Sequence, residues 1–143
     1  MEATPYYEDV QIGQALPELE LPPLSAADLA RYAEASGDHN PLHTDDAHAR
    51  AAGLDGVIAH GMLVMGQIGR VAAALAGPVD LRSLDVRFRD KTRPGEALRC
   101  GGAITARYER DGQGIVEAEL WARGPDGSVK ASGSLVAALP RRR

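Results

Sequence analysis

The sequence predicts an α+β fold in which an antiparallel β-sheet wraps around one central apolar helix. Hydrophobic residues recur with a helical period in the first half of the chain, and from about residue 84 onward the period changes to two. A sheet with one apolar face needs a cover, and a largely apolar helix needs surrounding structure, so the two are expected to pack together. The 143 residues suffice for a single domain over 1–143, with flexible ends at 1–5 and 140–143.

The chain is expected to begin with irregular or weakly extended structure over residues 6–23, which contain several prolines. The first helix is predicted for residues 25–36. Ser25 can cap its start, and Asp28 lies three residues further on, as in a capping box. Gly37 is suited to the left-handed conformation that commonly ends a helix.

Two further helices are predicted, a short one over residues 45–52 and the central one over residues 61–76. Apolar side chains cover most of the circumference of the central helix, so we expect it to be buried nearly all round. Gly66 and Gly69 interrupt this helix at some cost in stability. They either allow close packing of the helix on the sheet or leave space for a bound chain.

The second half of the chain predicts an antiparallel sheet of four or more strands. Four of them cover residues 84–89, 97–108, 116–123 and 129–134, with turns at 93–96, 111–114 and 124–127. One face of the sheet is apolar and the other polar. Trp121 falls on the polar face, where a subunit contact would shelter it.

Composition limits the possible functions. The net charge of -4 argues against nucleic acid as a partner, and the apolar stretch at 57–75 is interrupted by polar residues, which argues against a membrane span. The single cysteine, Cys100, excludes an intrachain disulfide and fits a small core residue in a reducing cytoplasm. With no signal peptide visible at the N-terminus, the expected location is cytoplasmic.

The most informative segment places Asp38 and His43 five residues apart, between the first and second helices. Pro41 fixes its own φ and drives Asn40 toward extended geometry, so the segment should form a stiff loop in which Asn40 orients its neighbours. A carboxylate and an imidazole can handle one water and its protons. The alternatives are a turn aspartate and a surface histidine, or a metal site, which Pro41 disfavours by separating the histidines at 39 and 43 from a common helical face.

Gly61 stands where the central helix begins, so its amide N–H points outward at the positive end of the helix dipole. Such an amide can stabilise an oxyanion. The alternative is a simple tight entry into the helix. His60, the preceding residue, is either a packed core histidine or a brace for the catalytic loop.

Three motifs resemble the signature of the MaoC-like (R)-specific enoyl-thioester hydratase/dehydratase family, which has the hotdog fold. The first is Tyr32 followed by Ser36-Gly37-Asp38-His39-Asn40-Pro41-Leu42-His43. The second is Ile58-Ala59-His60-Gly61-Met62, and the third is Phe88 with Pro94-Gly95-Glu96. The resemblance extends from about residue 7 to residue 139.

The resemblance implies that Asp38 and His43 hold the catalytic water and that the Gly61 amide binds the thioester carbonyl. Asn40, Pro41 and His60 would support them. A serine that often supports the site in this family is matched here by a glycine. No metal or redox cofactor is implied, and the substrate carrier would be coenzyme A or acyl carrier protein. Candidate substrate-binding residues are Met62, Met65, Gly66, Gly69, Lys91 and Arg93, although the last two also fit a solvated turn.

The resulting hypothesis is a hydro-lyase of fatty acid metabolism that interconverts trans-2-enoyl and (R)-3-hydroxyacyl thioesters. The resemblance also implies a homodimer, or a larger even oligomer, joined through the edges of two sheets. Two alternatives stay open: a non-catalytic thioester-binding subunit of a heteromeric dehydratase, and a hotdog thioesterase.

Overall fold

The computed structural model describes residues 4–143, and the predicted α+β architecture is confirmed. Three α-helices and five β-strands form its regular part. The helices are α1 (Ala26–Ser36), α2 (Asp46–Ala51) and α3 (Gly61–Leu75). The strands are β1 (Leu19–Glu20), β2 (Leu81–Phe88), β3 (Arg99–Arg110), β4 (Gln113–Arg123) and β5 (Val129–Leu139). Two 3₁₀ turns lie at Tyr7–Asp9 and Pro41–His43.

The five strands form one curled antiparallel sheet in the order β1-β3-β4-β5-β2. Strands β3 and β4 form a hairpin whose two turn residues, Asp111 and Gly112, both have positive φ, at 51° and 76°. That combination matches the right-handed twist of the flanking strands. Strand β2 follows α3 in the chain but pairs with β5, the last strand, so β2 forms one edge of the sheet.

Helix α3 lies across the concave face of the sheet. Its buried side is built from Val64, Ile68, Val71, Ala72 and Leu75, which share one core with residues of β3, β4 and β5. The spacing of these five residues is that of a single helix face.

The prediction that α3 is buried nearly all round is wrong for this chain. Met62 is 58% exposed, and a Cβ atom added at Gly66 or Gly69 would have no heavy atom within 4 Å. The physical reason is that the sheet covers only one side of the helix. The two glycines therefore do not serve close packing on the sheet, and they leave an open strip on the opposite side.

A second, smaller core joins α1 and α2 to the start of α3. Leu29, Ala49, Val57 and Ala59 are its buried members. The capping box of Ser25 and Asp28 is present as predicted, and Gly37 ends α1 with a φ of 77°. This core fixes the loop after α1 against the N-terminus of α3, which is the region where the sequence places the candidate site.

The predicted strands are all present, but some boundaries differ. Strand β5 continues to Leu139, five residues beyond the predicted end at residue 134. Strand β1 falls in the segment expected to be irregular or weakly extended, where its two residues pair with Arg99 and Cys100. A strand of two residues is too short to show an alternation of apolar and polar side chains. Its position is therefore set by its pairing with β3 and could not be predicted from its own sequence.

The two chain ends meet beside the 3₁₀ turn at Tyr7–Asp9. Arg141 pairs with Glu109 at 2.9 Å, and Arg142 pairs with Asp9 at 2.7 Å. Of the predicted flexible ends, residues 1–3 lie outside the described residues, and the flexibility of residues 140–143 stays a prediction. Among the helices in residues 4–143, none combines the length and apolar character needed to cross a membrane.

Cys100 provides a first test of the core. Its side chain is fully buried, and burial raises the pKa of its thiol to about 11. We therefore expect no reaction with a thiol reagent at pH 8 in the folded protein, and full reaction of this single cysteine after unfolding in urea. Rapid labelling of the folded protein would contradict the packing of β3 against α3.

Candidate active site

The loop after α1 is held by its own polar side chains. The Asp38 amide donates to Ser36 Oγ over 3.2 Å, and the Asn40 amide donates to Asp38 Oδ1 over 3.2 Å. Asn40 has φ -57° and ψ 122°, and its Oδ1 accepts from the Leu42 amide over 3.1 Å, which caps the 3₁₀ turn that begins at Pro41. Asn40 thus orients the loop through the backbone, as expected from its position before proline.

His43 is oriented by the backbone of the segment that precedes α3. Its Nδ1 lies 2.7 Å from the carbonyl oxygen of Ile58, and the Ile58 amide donates to the carbonyl of Leu42 over 3.1 Å. A carbonyl only accepts hydrogen bonds, so Nδ1 carries the proton and Nε2 is the free nitrogen of the neutral ring. Nε2 lies 3.8 Å from Asp38 Oδ2. The imidazole is 12% exposed and the carboxylate 52%, so the pair faces solvent on one side only.

His60 contacts both members of this pair. It is 1% exposed, and its Nε2 donates to the backbone carbonyl of Asp38 over 3.1 Å. Its ring stacks on that of His43, with centroids 3.8 Å apart and planes inclined by 24°, while Tyr32 meets it edge-on at 4.8 Å. His60 Nδ1 is buried without a hydrogen-bond partner in the described part of the chain. His60 is therefore both a core residue and a contact of the candidate pair, Asp38 and His43.

Asp38, His43 and His60 also form a cluster that could hold a metal ion by proximity alone, since one ligand atom of each lies within 4.8 Å of the others. The stacking of the two imidazoles disfavours this use. A ring nitrogen binds a metal in the plane of its ring. The two ring centroids are 3.8 Å apart and the ring planes are inclined by only 24°, so the planes meet far outside bonding distance of either ring. The two imidazoles therefore cannot bind one ion together in this arrangement.

Gly61 is the first residue of α3, and its amide hydrogen has no backbone or side-chain acceptor in the described residues. The phenyl ring of Phe88, at the end of β2, lies against it, so that a Cβ atom on Gly61 would be 3.0 Å from Phe88 Cζ. The Ala59 amide donates to the carbonyl of Thr92 over 2.7 Å. The N-terminus of the helix is thereby joined to the chain that follows β2.

A cavity of about 440 Å³ opens between this helix N-terminus and the ends of β2 and β5. Of the predicted site residues, His43, Gly61 and Lys91 line it. The remaining lining residues were not predicted: Ile58, Ala59, Val64, Phe88, Arg89, Asp90, Thr92 and Lys130. Phe88 was quoted in a family motif, so that motif could have placed it in the site.

The other candidate substrate-binding residues do not line this cavity. Arg93 extends instead toward Asp55, at 3.6 Å, and Glu96, at 4.0 Å. Met62 and Gly66 lie on the exposed side of α3, and Met65 and Gly69 are only partly buried there. The assignment of all five as substrate-binding residues stays a prediction.

Lys130 holds the wall of the cavity opposite Gly61. The residue is 4% exposed, and its Nζ lies 2.8 Å from the Lys91 carbonyl, 3.3 Å from Asp90 Oδ2 and 3.1 Å from Glu96 Oε2. Burial alone lowers the pKa of Lys130, but the hydrogen bonds and charges of Glu96 and Asp90 outweigh it and raise this pKa above its usual value. No local sequence pattern predicts these contacts of Lys130, because they form only when β5 lies beside β2.

Removing this ammonium group should destabilise the protein. Lys130→Met would remove the ammonium partner of two carboxylates and a carbonyl, although both carboxylates keep a backbone N–H donor, and we expect a loss of about 1–3 kcal/mol, reduced because Asp90 is half exposed. Because the folded-state pKa is raised, this contribution is complete below the ordinary lysine pKa and disappears as pH rises through the raised value. Urea unfolding at neutral and alkaline pH measures both effects. Lys91→Met, which removes an exposed lysine, is the control, and equal stability of the two variants would contradict this role.

The curled antiparallel sheet around one helix is the hotdog architecture, and in this chain a carboxylate and an imidazole lie near the N-terminus of that helix. The chain belongs to the MaoC like domain family, whose model matches residues 9–120. The resemblance seen in the three motifs is thereby confirmed.

Individual relatives agree with this family. The chain is 34% identical over 89 residues to a mitochondrial 3-hydroxyacyl-[acyl-carrier-protein] dehydratase of Arabidopsis thaliana, covering 62% of this chain and 52% of that protein. It is 33% identical over 95 residues to a 3-hydroxybutyryl-CoA dehydratase of Methylorubrum extorquens, covering 65% and 59% respectively. The chain thus matches only a little over half the length of these relatives.

A solved structure supports the fold along almost the whole chain. The unliganded R-hydratase PhaJ1 of Pseudomonas aeruginosa superposes with a TM-score of 0.81 and covers 96% of this chain and 86% of that one, at 24% sequence identity. At this identity the likeness shows the fold alone. The chain is a MaoC like domain, and its activity, substrate and stereochemistry are matters for proposal.

Proposed function

We propose that this protein reversibly hydrates a trans-2-enoyl thioester to an (R)-3-hydroxyacyl thioester. The observation that carries the proposal is the 3.8 Å separation of His43 Nε2 and Asp38 Oδ2 beside a cavity that also contains the Gly61 amide. The R configuration is taken from the R-hydratase of Pseudomonas aeruginosa, whose fold this chain shares. It also follows the family resemblance.

The separation suits one shared water. Two groups at this distance are too far apart for a direct hydrogen bond, but a single water about 2.8 Å from each can donate to both. Both of its hydrogens are then engaged, and a lone pair is free to attack C3 of the enoyl group. The Asp38–His43 pair takes one proton from this water as the hydroxyl adds to C3, and it returns one proton to C2. The pair ends with its initial charge, and dehydration follows the same path in reverse.

Attack at C3 moves negative charge onto the thioester oxygen, which then needs a donor. Gly61 lines the cavity at the positive end of α3, and its amide has no acceptor in the described residues. The absence of a side chain makes room for the Phe88 ring, which lies against Gly61 and forms part of the cavity wall. Charge stabilisation of this kind is commonly the largest single contribution to such a reaction.

The remaining predictions complete the proposal. Coenzyme A or acyl carrier protein would supply the thioester, with no metal or redox cofactor, and Lys91 at the cavity would contribute positive charge toward the carrier. We expect a cytoplasmic homodimer or larger even oligomer. Strand β2 offers a sheet edge that pairs with no further strand in the described residues, and the open strip at Gly66 and Gly69 is available to a second copy.

An assay with crotonyl-CoA tests the proposal. Hydration removes the absorbance of the conjugated enoyl thioester and yields 3-hydroxybutyryl-CoA without release of thiol, and chiral analysis of the product reports its configuration. Release of free coenzyme A would instead show a thioesterase. Binding of the thioester without turnover by the purified chain would favour a non-catalytic subunit. Formation of the S product would contradict the assigned stereochemistry.

A further inference from the structure

A second groove, on the convex face of the sheet, adjoins the active-site cavity. Its volume is also about 440 Å³, and it crosses the ends of β2, β5 and β4. In the strand register Arg87 lies opposite Ser132, and Ser132 lies opposite Trp121, so the three form a row about 10 Å long across the sheet. The Trp121 ring lies over Gly101, where a Cβ atom would come within 2.6 Å of it.

Three arginines line the groove together with two carboxylates, those of Asp85 and Glu119, so its side chains carry a small excess of positive charge. Within the described residues, Arg87, Arg89 and Arg123 have no carboxylate oxygen within 4.0 Å. Arg89 Nε donates to the neutral hydroxyl of Ser132 over 3.0 Å, and the guanidinium of Arg123 lies 4.3 Å from the centroid of the Trp121 ring. The Ser132 hydroxyl and the Trp121 ring each hold a guanidinium in place, and because neither is charged, the positive charge of Arg89 and Arg123 stays available to a ligand. In a chain of net charge -4, this is a local reversal of sign.

Arg89 connects the two depressions. It lines the active-site cavity together with Gly61 and Lys91, and it also lines the convex groove with Arg87. A long ligand whose reacting end lies at Gly61 can therefore pass Lys91 and Arg89 and continue over the end of β2 onto the outer face.

We propose that this groove binds the 3′-phosphorylated adenosine diphosphate portion of coenzyme A. The phosphates would lie against Arg87 and Arg89, because a guanidinium offers paired donors that match phosphate oxygens. The purine would stack on the Arg123 guanidinium, which Trp121 supports from the sheet side. The inference rests on the proposed hydratase function and selects coenzyme A as the carrier.

The guanidinium–indole stack distinguishes this ligand from the other occupants of such a surface. A second copy of the same face could pair its Asp85 and Glu119 with these arginines, but it would bring no planar base to the stack of Trp121 and Arg123. A protein carrier presents an acidic surface but no free purine, and it would leave the Trp121–Arg123 stack without a planar partner. A nucleotide with several phosphates satisfies both the charge and the stack.

The test compares crotonyl-CoA with crotonyl-pantetheine, which lacks the nucleotide. For the double variant Arg87→Ala/Arg123→Ala, we expect the ratio of kcat/KM for the two substrates to fall about tenfold or more, chiefly through KM for the coenzyme A thioester. Adenosine 3′,5′-bisphosphate should bind the wild type in calorimetry and bind the double variant at least about tenfold more weakly. Rising salt should weaken binding to the wild type, because the contacts are exposed ion pairs.

Arg110→Ala is the matched control. Arg110 is an exposed arginine at the opposite end of the same sheet, and its guanidinium also lies over an aromatic ring, 5.2 Å from the centroid of Tyr108. This variant should behave as the wild type with both substrates. An unchanged substrate ratio in the double variant, together with no binding of the bisphosphate to the wild type, would overturn the inference and leave the hydratase proposal intact.

Other outcomes would also overturn it. If the double variant changes the oligomeric state in size-exclusion chromatography while the substrate ratio holds, the face is a contact between copies. If it impairs crotonyl-acyl carrier protein but not crotonyl-CoA, the groove serves a protein carrier. If neither thioester is hydrated by the wild type, the proposed function fails, while bisphosphate calorimetry still tests the groove.

Discussion

Asp38→Asn and His43→Gln are each expected to lower kcat/KM for crotonyl-CoA hydration by about 10²–10⁴-fold, with folding preserved. A positioned acid–base group typically contributes a factor in this range. Asp38 is half exposed and His43 is fixed through a single hydrogen bond to Ile58, so neither change empties the core. Initial rates, with far-ultraviolet circular dichroism and thermal unfolding on the same samples, measure the effect.

His39→Gln is the matched control for these variants. His39 lies on the same loop, between the two catalytic candidates, yet its ring extends toward the Glu34 carboxylate, at 3.6 Å, and is well exposed. We expect its rate to stay within about twofold of wild type. If His39→Gln lost most of the hydration activity while His43→Gln stayed active, His39 and not His43 would be the catalytic imidazole of this loop.

The double variant Asp38→Asn/His43→Gln tests whether the two groups act on one water. If they share it, the loss of either already removes the step, and the double variant should be no slower than about the worse single variant. Multiplicative losses would instead indicate two independent roles. The measurement is a double-mutant cycle on kcat/KM, with each rate compared at the pH optimum of its own variant.

Local signals explain why much of this fold could be predicted. The limits of α1 follow from Ser25, Asp28 and Gly37, which act within one turn of the helix ends. The long strands follow from alternation of apolar and polar residues. The order of the sheet could not be predicted in this way, because it depends on which distant strands pair.

The same distinction applies to the site. Asp38 and His43 were found because they lie five residues apart on one loop, and Gly61 because a helix start is a local feature. The cavity wall was missed. Lys130 reaches Asp90 across 40 residues of sequence, and only the pairing of β5 with β2 brings them together. The exposed side of α3 was also missed, because an apolar helix surface has the same sequence pattern whether it meets a core or another subunit.

The second large effect is expected from removing the Gly61 amide hydrogen, which a proline can do without breaking the helix. Gly61 is the first residue of α3, a position where proline is favoured. His60 before it has φ -60° and ψ 132°, the extended conformation that a residue preceding proline adopts. A Cβ atom at this position would lie 3.0 Å from Phe88 Cζ, so the substitution is best made together with Phe88→Ala.

In the Phe88→Ala background, Gly61→Pro should lower kcat for crotonyl-CoA hydration by about 10²–10³-fold, equivalent to about 2.7–4 kcal/mol of lost oxyanion stabilisation. Gly61→Ala in the same background retains the amide hydrogen and adds a Cβ atom, so it should keep most of the activity of Phe88→Ala alone. Urea unfolding of the three proteins establishes that the helix start is preserved. Equal activity of the proline and alanine variants would show that the Gly61 amide is not the oxyanion donor. The next free amide of the first turn, that of Met62, would then be the group to examine, because it stands at the same positive end of the helix.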